Sequence, residues 1–481
     1  MDIAAVALLL YNESVLHFQM KQYETALVQL TALFRAIDAI DDWLAVRICC
    51  LLLEVFITHR HVDSAWDVVA QMEKIYTLLA NKAAQQSTNP ESPSSAGPAP
   101  QPTAEVPSTT AEKYPTPSAP VVNTAELMFT IHMYKARLHM MQRMHKLAKR
   151  ELKAAQPAVD QQPIHVFLRA NLEYLRQNWP KSVKLLNSCK KITNDASLPA
   201  LYLNNMGCIH YRMQKYAAAG FYFARAANKN HEYVQRLRLA ASSTTSPTTS
   251  SANTLYAFAR DRSCEVLCNT GMTFIHANKP TLAFDCLQAG LGAYFHKPRV
   301  WLRLGEACIA QFVIDEKRND EGLQSFLVRS EGGQGCYHRL RLRTTSHIYP
   351  AAPDALTSGP SICYAQICFR NALHLLTITE QQTASKTPSE ATAANAVLEK
   401  AELAAMLQTA LLGLAYASLA VGDGLTAFDA CAKLLQLQLQ PQSLFLAHVY
   451  TAEALIRLDR PYDAVEHLSP VLLCMLTSNE S

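Results

Sequence analysis

Residues 201–228, LYLNNMGCIHYRMQKYAAAGFYFARAAN, constrain the fold more than any other stretch of the chain. They carry two apolar helix faces around a polar break at 213–215. Leu203, Met206, Ile209 and Tyr211 lie on the first helix and Tyr216, Ala219, Phe223 and Ala226 on the second. Gly207 and Ala219 stand where two antiparallel helices come closest, at an axis separation of roughly 8–10 Å that excludes a long side chain. Such a hairpin cannot bury both of its faces alone, so the chain must supply neighbours.

It does. Gly271 and Gly305 lie 34 residues apart, and the same frame laid on them brings Leu267, Phe274, Ala283 and Leu287 into phase, then Trp301 and Leu304. A period of about 34 residues with small residues at the crossings is the tetratricopeptide (TPR) pattern. The predicted fold is all-α, an α-solenoid of about nine TPR-like hairpins interrupted by disordered linkers. The frame residues are Ala26, Ala65, Ala136, Ala148, Gly207, Ala219, Gly271, Ala283, Trp301, Gly305, Ala365, Ala415 and Ala427.

Composition marks the interruptions. The predicted order is N-terminal hairpins over 1–80, a Pro/Ser/Thr/Ala linker over 81–121, hairpins over 122–239 and a polar linker over 240–253. Hairpins resume over 254–376 with a long insertion at about 313–360, followed by a linker over 377–392, C-terminal hairpins over 393–470 and a tail over 471–481. The linkers are too poor in apolar residues to offset the entropy of ordering. The seventh hairpin is split: its first helix is expected to end near Phe312 and its second to begin near Ser361. A turn lengthened to about fifty residues adds only about 2–3 kcal/mol of closure entropy.

Several readings are excluded or weakened. The net charge of +4 forces neither a nucleic-acid nor a membrane partner. Asp2 stands where a signal peptide needs a cation, so the N-terminal apolar run reads as the first hairpin. Residues 403–421 lack charge over a length that would span a bilayer, yet Leu411, Leu414 and Ala415 keep the repeat phase and predict a buried helix. Thirteen cysteines, odd in number and without a C-x-x-C pair, read as small core hydrophobes in a reducing compartment.

No convergent acid, base or nucleophile cluster is legible, so no enzymatic activity and no cofactor are expected. His59 and His61, and separately Cys264 and Cys268, supply two ligands where a structural zinc needs four. They read as a solvated turn and as core thiols. The GGQG at 332–335 lacks the Lys-Ser/Thr of a phosphate cradle.

Candidate interaction residues fall in three groups. On the inner face of the first helices Phe18, Phe167, Asn171, Tyr174, Asn204, Tyr211 and Arg212 suit a helix or an extended peptide, and equally suit packing between units. The Lys-then-Asn pair of a chaperone-binding carboxylate clamp is absent there. Lys146, Lys149 and Arg150, with Lys153, share one helix face that fits RNA phosphates, an acidic partner surface or plain solvent. Within the insertion, YHRLRLR at 337–343 alternates Arg and Leu as a short extended segment would, making Tyr337, His338 and Arg339 candidates for a partner or intramolecular contact.

Four stretches, NLEYLRQNWPKSVKLLNS, LYLNNMGCIHYRMQKYAAAGFYFARAAN, FDCLQAGLGAYFHKPRVWLRLGEACIA and GQGCYHR, resemble the subunit 10 family of the Ccr-Not mRNA deadenylase complex. In that family GQG runs directly into YHR, without Cys336, and the sequences continue past both ends of this one. The resemblance implies a non-catalytic TPR adaptor. It would dock with subunit 11 onto the large scaffold subunit and support mRNA deadenylation, mRNA decay and translational repression, in the cytoplasm and also the nucleus. The alternatives are a TPR adaptor of another assembly and an RNA-binding accessory factor using the basic helix at 135–153.

Overall fold

The computed structural model describes residues 3–87, 123–155, 163–189, 197–242, 261–327, 329–331, 339–341, 359–384 and 393–468. They form antiparallel helical hairpins in two compact units, residues 1–194 with 254–259 and residues 195–253 with 260–481.

The first unit pairs α1 (Ile3–Gln19) with α2 (Tyr23–Arg35), α3 (Asp42–His59) with α4 (Val62–Ser87), α5 (Thr124–Met141) with α6 (His145–Ala154), and α7 (Pro163–Leu175) with α8 (Trp179–Cys189). The second pairs α9 (Leu198–Arg212) with α10 (Tyr216–Ser242), α11 (Ser263–His276) with α12 (Pro280–Tyr294), and α13 (Pro298–Leu327) with α14 (Ile362–Ala384). It ends with α15 (Ala393–Val421) on α16 (Gly424–Leu435), and α17 (Pro441–Arg457) on α18 (Pro461–His467). Among the described residues nine hairpins form, the number expected from the repeat frame.

One turn geometry recurs. Lys21, Arg60, Arg143, Gln177, Gln214, Asn278, Gly422 and Asp459 all take positive φ, and each sits in the break of a continuous hairpin. The residue after each donates its N–H to the carbonyl five positions back, as in Gln22 to His17 (2.9 Å), Lys215 to His210 (3.0 Å) and Arg460 to Leu455 (2.9 Å). This is the Schellman closure, which satisfies carbonyls at the helix end while reversing the chain. A left-handed non-glycine residue costs about 1–2 kcal/mol, so tertiary packing holds these turns rather than local preference. Only the α13–α14 hairpin, with its insertion, lacks such a turn among the described residues.

Between the helices the frame behaves as its phase predicts. Ala26, Ala65, Ala136, Ala148, Ala219, Ala283, Ala365, Ala415 and Ala427 are fully buried, and Gly207, Gly271 and Gly305 are buried with them. Trp301 is half-buried and donates from Nε1 to the Phe295 carbonyl at 2.7 Å. The partner of Gly207 differs from the one expected: a Cβ there would meet the Phe223 ring at 2.6 Å, so Phe223, one turn beyond Ala219, fills the crossing. Leu287 does the same at Gly271 (2.6 Å). In the split hairpin the Phe369 ring lies against both Gly305, where a Cβ would sit 2.7 Å from it, and Gly413 of the next hairpin.

Several helices outrun the repeat frame. α4 continues to Ser87 and α10 to Ser242, past the boundaries drawn at 81 and 240, and α14 continues to Ala384. α13 does not end near Phe312 but reaches Leu327, because residues 313–327 hold no Pro and are rich in Asp, Glu, Lys and Arg, which tolerate a helix without a packing face. Beyond it β1 (Arg329–Glu331) pairs antiparallel with β2 (Arg339–Arg341), Arg329 opposite Arg341. The apolar stretch 403–421 is part of α15. Its Ala410, Leu411, Leu414, Ala415, Ala417 and Leu419 are buried against α14, α16 and α17, and Gln366 Nε2 donates to Ser418 Oγ at 3.0 Å in the same layer.

Two measurements test this packing. Gly413→Ala drives a methyl group into the Phe369 ring and should cost about 1–3 kcal/mol by overpacking. Gly220→Ala, where no atom lies within 4 Å of the new Cβ, should instead gain up to about 1 kcal/mol from helix propensity; thermal melting of the two variants should move in opposite directions.

The second concerns the last hairpin, where His448 Nδ1 and His467 Nδ1 lie 3.0 Å apart. Burial first, and then the neighbouring His467 ring, hold the His448 imidazole below the usual histidine range. A base with a depressed folded pKa contributes stability above its unfolded value, about 6.5, and that contribution is lost as pH falls through the folded value. Protection factors of the α17 and α18 amides, corrected for the intrinsic slowing of exchange in acid, should therefore fall as pH drops below about 6.5; His448→Gln should flatten that response.

Candidate functional site

The first helices of consecutive hairpins lie side by side, α9 against α11 and α11 against α13. What they present is set by the frame: the positions that face the paired second helix are apolar or small, and those between them are free to be polar.

The structure separates the aromatics from the amides among the expected groove residues. Phe18 packs edge-on against Tyr23 (5.5 Å between ring centroids), which also meets His59 (5.9 Å). Tyr174 meets Trp179 edge-on at 5.3 Å. Tyr211 meets Tyr216 (5.7 Å) and His276 (5.5 Å), and Tyr216 and His276 are stacked at 5.1 Å. In each case an aromatic in the last turn of a first helix rests on the aromatic that opens the second, wrapping the left-handed turn. These three rings pack the turns. Phe167 is half-buried and Asn171 exposed on α7.

A polar cluster remains on α9, α11 and α13. Asn269 Nδ2 donates to Asn204 Oδ1 at 3.0 Å, and also faces Cys208 Sγ at 3.9 Å. Burial pushes the Cys208 thiol up to about 11, against the pull of nearby Arg212, so it is a neutral thiol at pH 7. Burial also pushes the Tyr211 phenol up, opposed by the neighbouring Arg303 and Arg212. Arg303 is exposed and pairs with Glu306 at 2.6 Å. Asn269 and Arg303 are site members that sequence reasoning missed. Both lie two residues before their hairpin's glycine, whereas Asn204 lies three before Gly207, so a search at one fixed phase does not align them.

The basic stretch divides as well. Lys135 pairs with Glu73, and Arg137 with Glu54, whose carboxylate also accepts from the Tyr134 hydroxyl at 3.0 Å. These cations tie α5 to the preceding hairpin. Lys146, Lys149 and Arg150 are exposed on α6, and among the described residues none of the three is in an ion pair. The one carboxylate on α6, Glu151, is taken by His132 at 2.8 Å. Met144, just before α6, and Leu147 on it are exposed.

Tyr337 and His338 lie outside the described residues, as do residues 332–335, and Arg339 opens β2. His59 and His61 stand with ring centroids 5.9 Å apart at the α3–α4 turn. Cys268, pushed up to about 11 by burial, fills the space beside Gly290. Among the described residues no group of three or more His, Cys, Asp and Glu is placed to hold a metal ion.

Comparison with known proteins adds what geometry does not. Residues 405–479 match the family model of the CNOT10 tetratricopeptide repeat domain. Over 516 aligned residues the chain is 29% identical to CCR4-NOT transcription complex subunit 10-B of Xenopus laevis, covering 98% of this chain and 66% of that protein. It is 32% identical to subunit 10 of Danio rerio over 382 residues, 71% of this chain and 61% of that one. The chain thus spans about two thirds of the length of the curated relatives it matches. Among solved structures the apo form of RapI is similar at a TM-score of 0.42 and 8% identity, over 88% of this chain and 86% of that one. The chain is similar along most of its length to subunit 10 of the CCR4-NOT complex, and its residues 405–479 match the model of that subunit's tetratricopeptide repeat domain.

Proposed function

We propose that the chain is a non-catalytic adaptor of the CCR4-NOT complex, which docks together with subunit 11 onto the large scaffold subunit. In that role it supports mRNA deadenylation, mRNA decay and translational repression, in the cytoplasm and the nucleus. The observation that carries this reading is the match to subunit 10 sequences along 98% of the chain. The fold is consistent with it, since hairpins stacked on their neighbours offer the faces of successive first helices to a partner.

The test is affinity purification of the tagged chain from its own cells, with the bound proteins identified by mass spectrometry. Subunit 11 and the large scaffold subunit are expected at near-stoichiometric yield. Recovery of the chain with neither of them, at low salt and with its own expression level, would rule the reading out.

A second reading is favoured by one feature, the unpaired ridge of Lys146, Lys149 and Arg150 on α6, which offers three cations to a phosphate backbone. Each phosphate contact contributes a salt slope of about 0.7 for a single strand. Binding of labelled oligo(U) should then weaken steeply with salt, and the slope should drop by roughly 2 when the three residues are changed to Glu. Binding with the same slope in the triple variant removes RNA contact from this ridge.

A further inference from the structure

We infer that the outward face of α10 around Phe221 and Arg225 is a contact surface for single-stranded nucleic acid, with a base stacked on the ring and a phosphate on the guanidinium. This goes beyond the adaptor reading and uses none of the residues of the ridge on α6.

The repeat frame singles out the ring. Two residues beyond the fully buried alanine of a second helix lies a position that faces away from the core. It is held by Val28 in α2, Asp67 in α4, Arg150 in α6, Asp285 in α12, Ile367 in α14 and Asp429 in α16, and all six are exposed. Counted from Ala219 in α10, the same position is Phe221, which is 59% exposed and is the one ring among these seven. The core does not ask for an aromatic there, and leaving one in water forfeits the area it could bury. Its helical neighbours do not cover it either. Ala217 and Ala224, four before and three after, are short and exposed, and beside the ring Gly220 has no atom within 4 Å of the place a Cβ would take. A flat group therefore has room against the ring.

Charge supplies the second half of the site. Arg225, four residues on, holds its guanidinium carbon 5.5 Å from the Phe221 ring centre. It is exposed and has no carboxylate partner among the described residues. From Leu198 to Ser242 the cations are Arg212, Lys215, Arg225, Lys229, Arg236 and Arg238, and the sole carboxylate is Glu232. Glu232 is itself taken by Lys229 at 2.8 Å and approached by Arg236 at 3.9 Å. On α11, which packs against α10, Glu265 pairs with Arg262 at 3.6 Å. Asp261, just before α11, accepts from Asn230 Nδ2 at 2.9 Å and Ser263 Oγ at 2.6 Å. These acids are engaged, so the α9–α10 hairpin presents a positive surface.

The combination decides the occupant. An apolar partner helix needs apolar residues recurring every three or four positions, and beyond Phe221 that stripe runs through Arg225, Asn228 and Glu232. An acidic peptide would engage the cations and leave the ring idle. A single strand uses both, because every base has a face that stacks on an aromatic and every nucleotide a phosphate for a cation. Edge-on to Phe221 at 5.7 Å lies Tyr222, which stacks on His210 at 5.0 Å, so aromatic surface continues from α10 onto α9.

The experiment measures fluorescence anisotropy of labelled oligo(U) on the full chain, both unaltered and with Lys146→Glu, Lys149→Glu and Arg150→Glu together. In both backgrounds Phe221→Ala should weaken binding about tenfold, the loss of one stacked base, without changing the salt slope. Phe221→Trp should preserve it. Arg225→Gln should lower the slope by about 0.7, the share of one phosphate on a single strand. A strand of abasic nucleotides keeps the phosphates, so it should bind more weakly and be indifferent to Phe221→Ala. Both side chains are exposed, and thermal melting of each variant should match the parent. The inference is overturned if oligo(U) does not bind the unaltered chain, if Phe221→Ala binds it as tightly as the parent does, or if the abasic strand suffers the same loss. It is overturned equally if a poly-glutamate peptide binds and suffers that loss, since the surface would then serve an acidic protein segment. Co-purification with the complex reads the adaptor role separately, so the failure of one is not mistaken for failure of the other.

Discussion

In the second unit the hairpins are held together by bulky side chains lodged against residues that have none. Phe223 fills the space at Gly207, Leu287 the space at Gly271, and Phe369 lies between Gly305 of one helix and Gly413 of the next hairpin. Each of those large side chains is almost wholly buried. The glycine lets two helix backbones approach, and the large side chain converts that approach into buried area, worth roughly 25 cal/mol per Å². Phe369 does this twice, so it joins a hairpin to itself and to its successor. It does so in the hairpin whose chain is interrupted between α13 and α14, where the connecting turn contributes least.

The turns follow from the same constraint. A first helix and its partner must leave the break at one fixed angle if their small and large positions are to meet. Seven of the eight left-handed residues that set that angle are not glycine. Their backbone strain is tolerated because the aromatic pairs around them, Phe18 with Tyr23 and Tyr211 with Tyr216, pack across the break. Side chains that a surface-based reading places in a binding groove thereby become part of the joint, and the groove's own chemistry is left to the amides and charges between them.

That division explains the polar cluster on α9, α11 and α13. Positions facing the second helix are fixed by packing, and the rest vary without cost to the fold. Asn204 and Asn269 meet at 3.0 Å only because α9 and α11 sit one hairpin apart at the spacing the core imposes. A scaffold held by its core can carry different partner-facing residues on every repeat. Hairpins of one kind can thus present several distinct surfaces.

The sequence alone determined the repeat, because an α-helix returns to the same face every 3.6 residues and a crossing admits only small side chains. Ala26, Ala65, Ala148, Ala219 and Gly305 could be placed on that basis and are buried. It also determined that residues 403–421 belong to a core helix, since their phase matches their neighbours. Tertiary structure decided what phase does not encode. Gly413 was hidden behind Ala415, which satisfies the same frame, and its role exists only because Phe369 arrives from 44 positions earlier. The continuation of α13 to Leu327, and the pairing of β1 with β2, depend on local hydrogen bonds that carry no apolar period. Which basic residues are spent was equally out of reach. Lys135 and Arg137 look like Lys146 and Arg150 in the sequence, and they differ only because Glu73 and Glu54, on another hairpin, come within reach of the first pair.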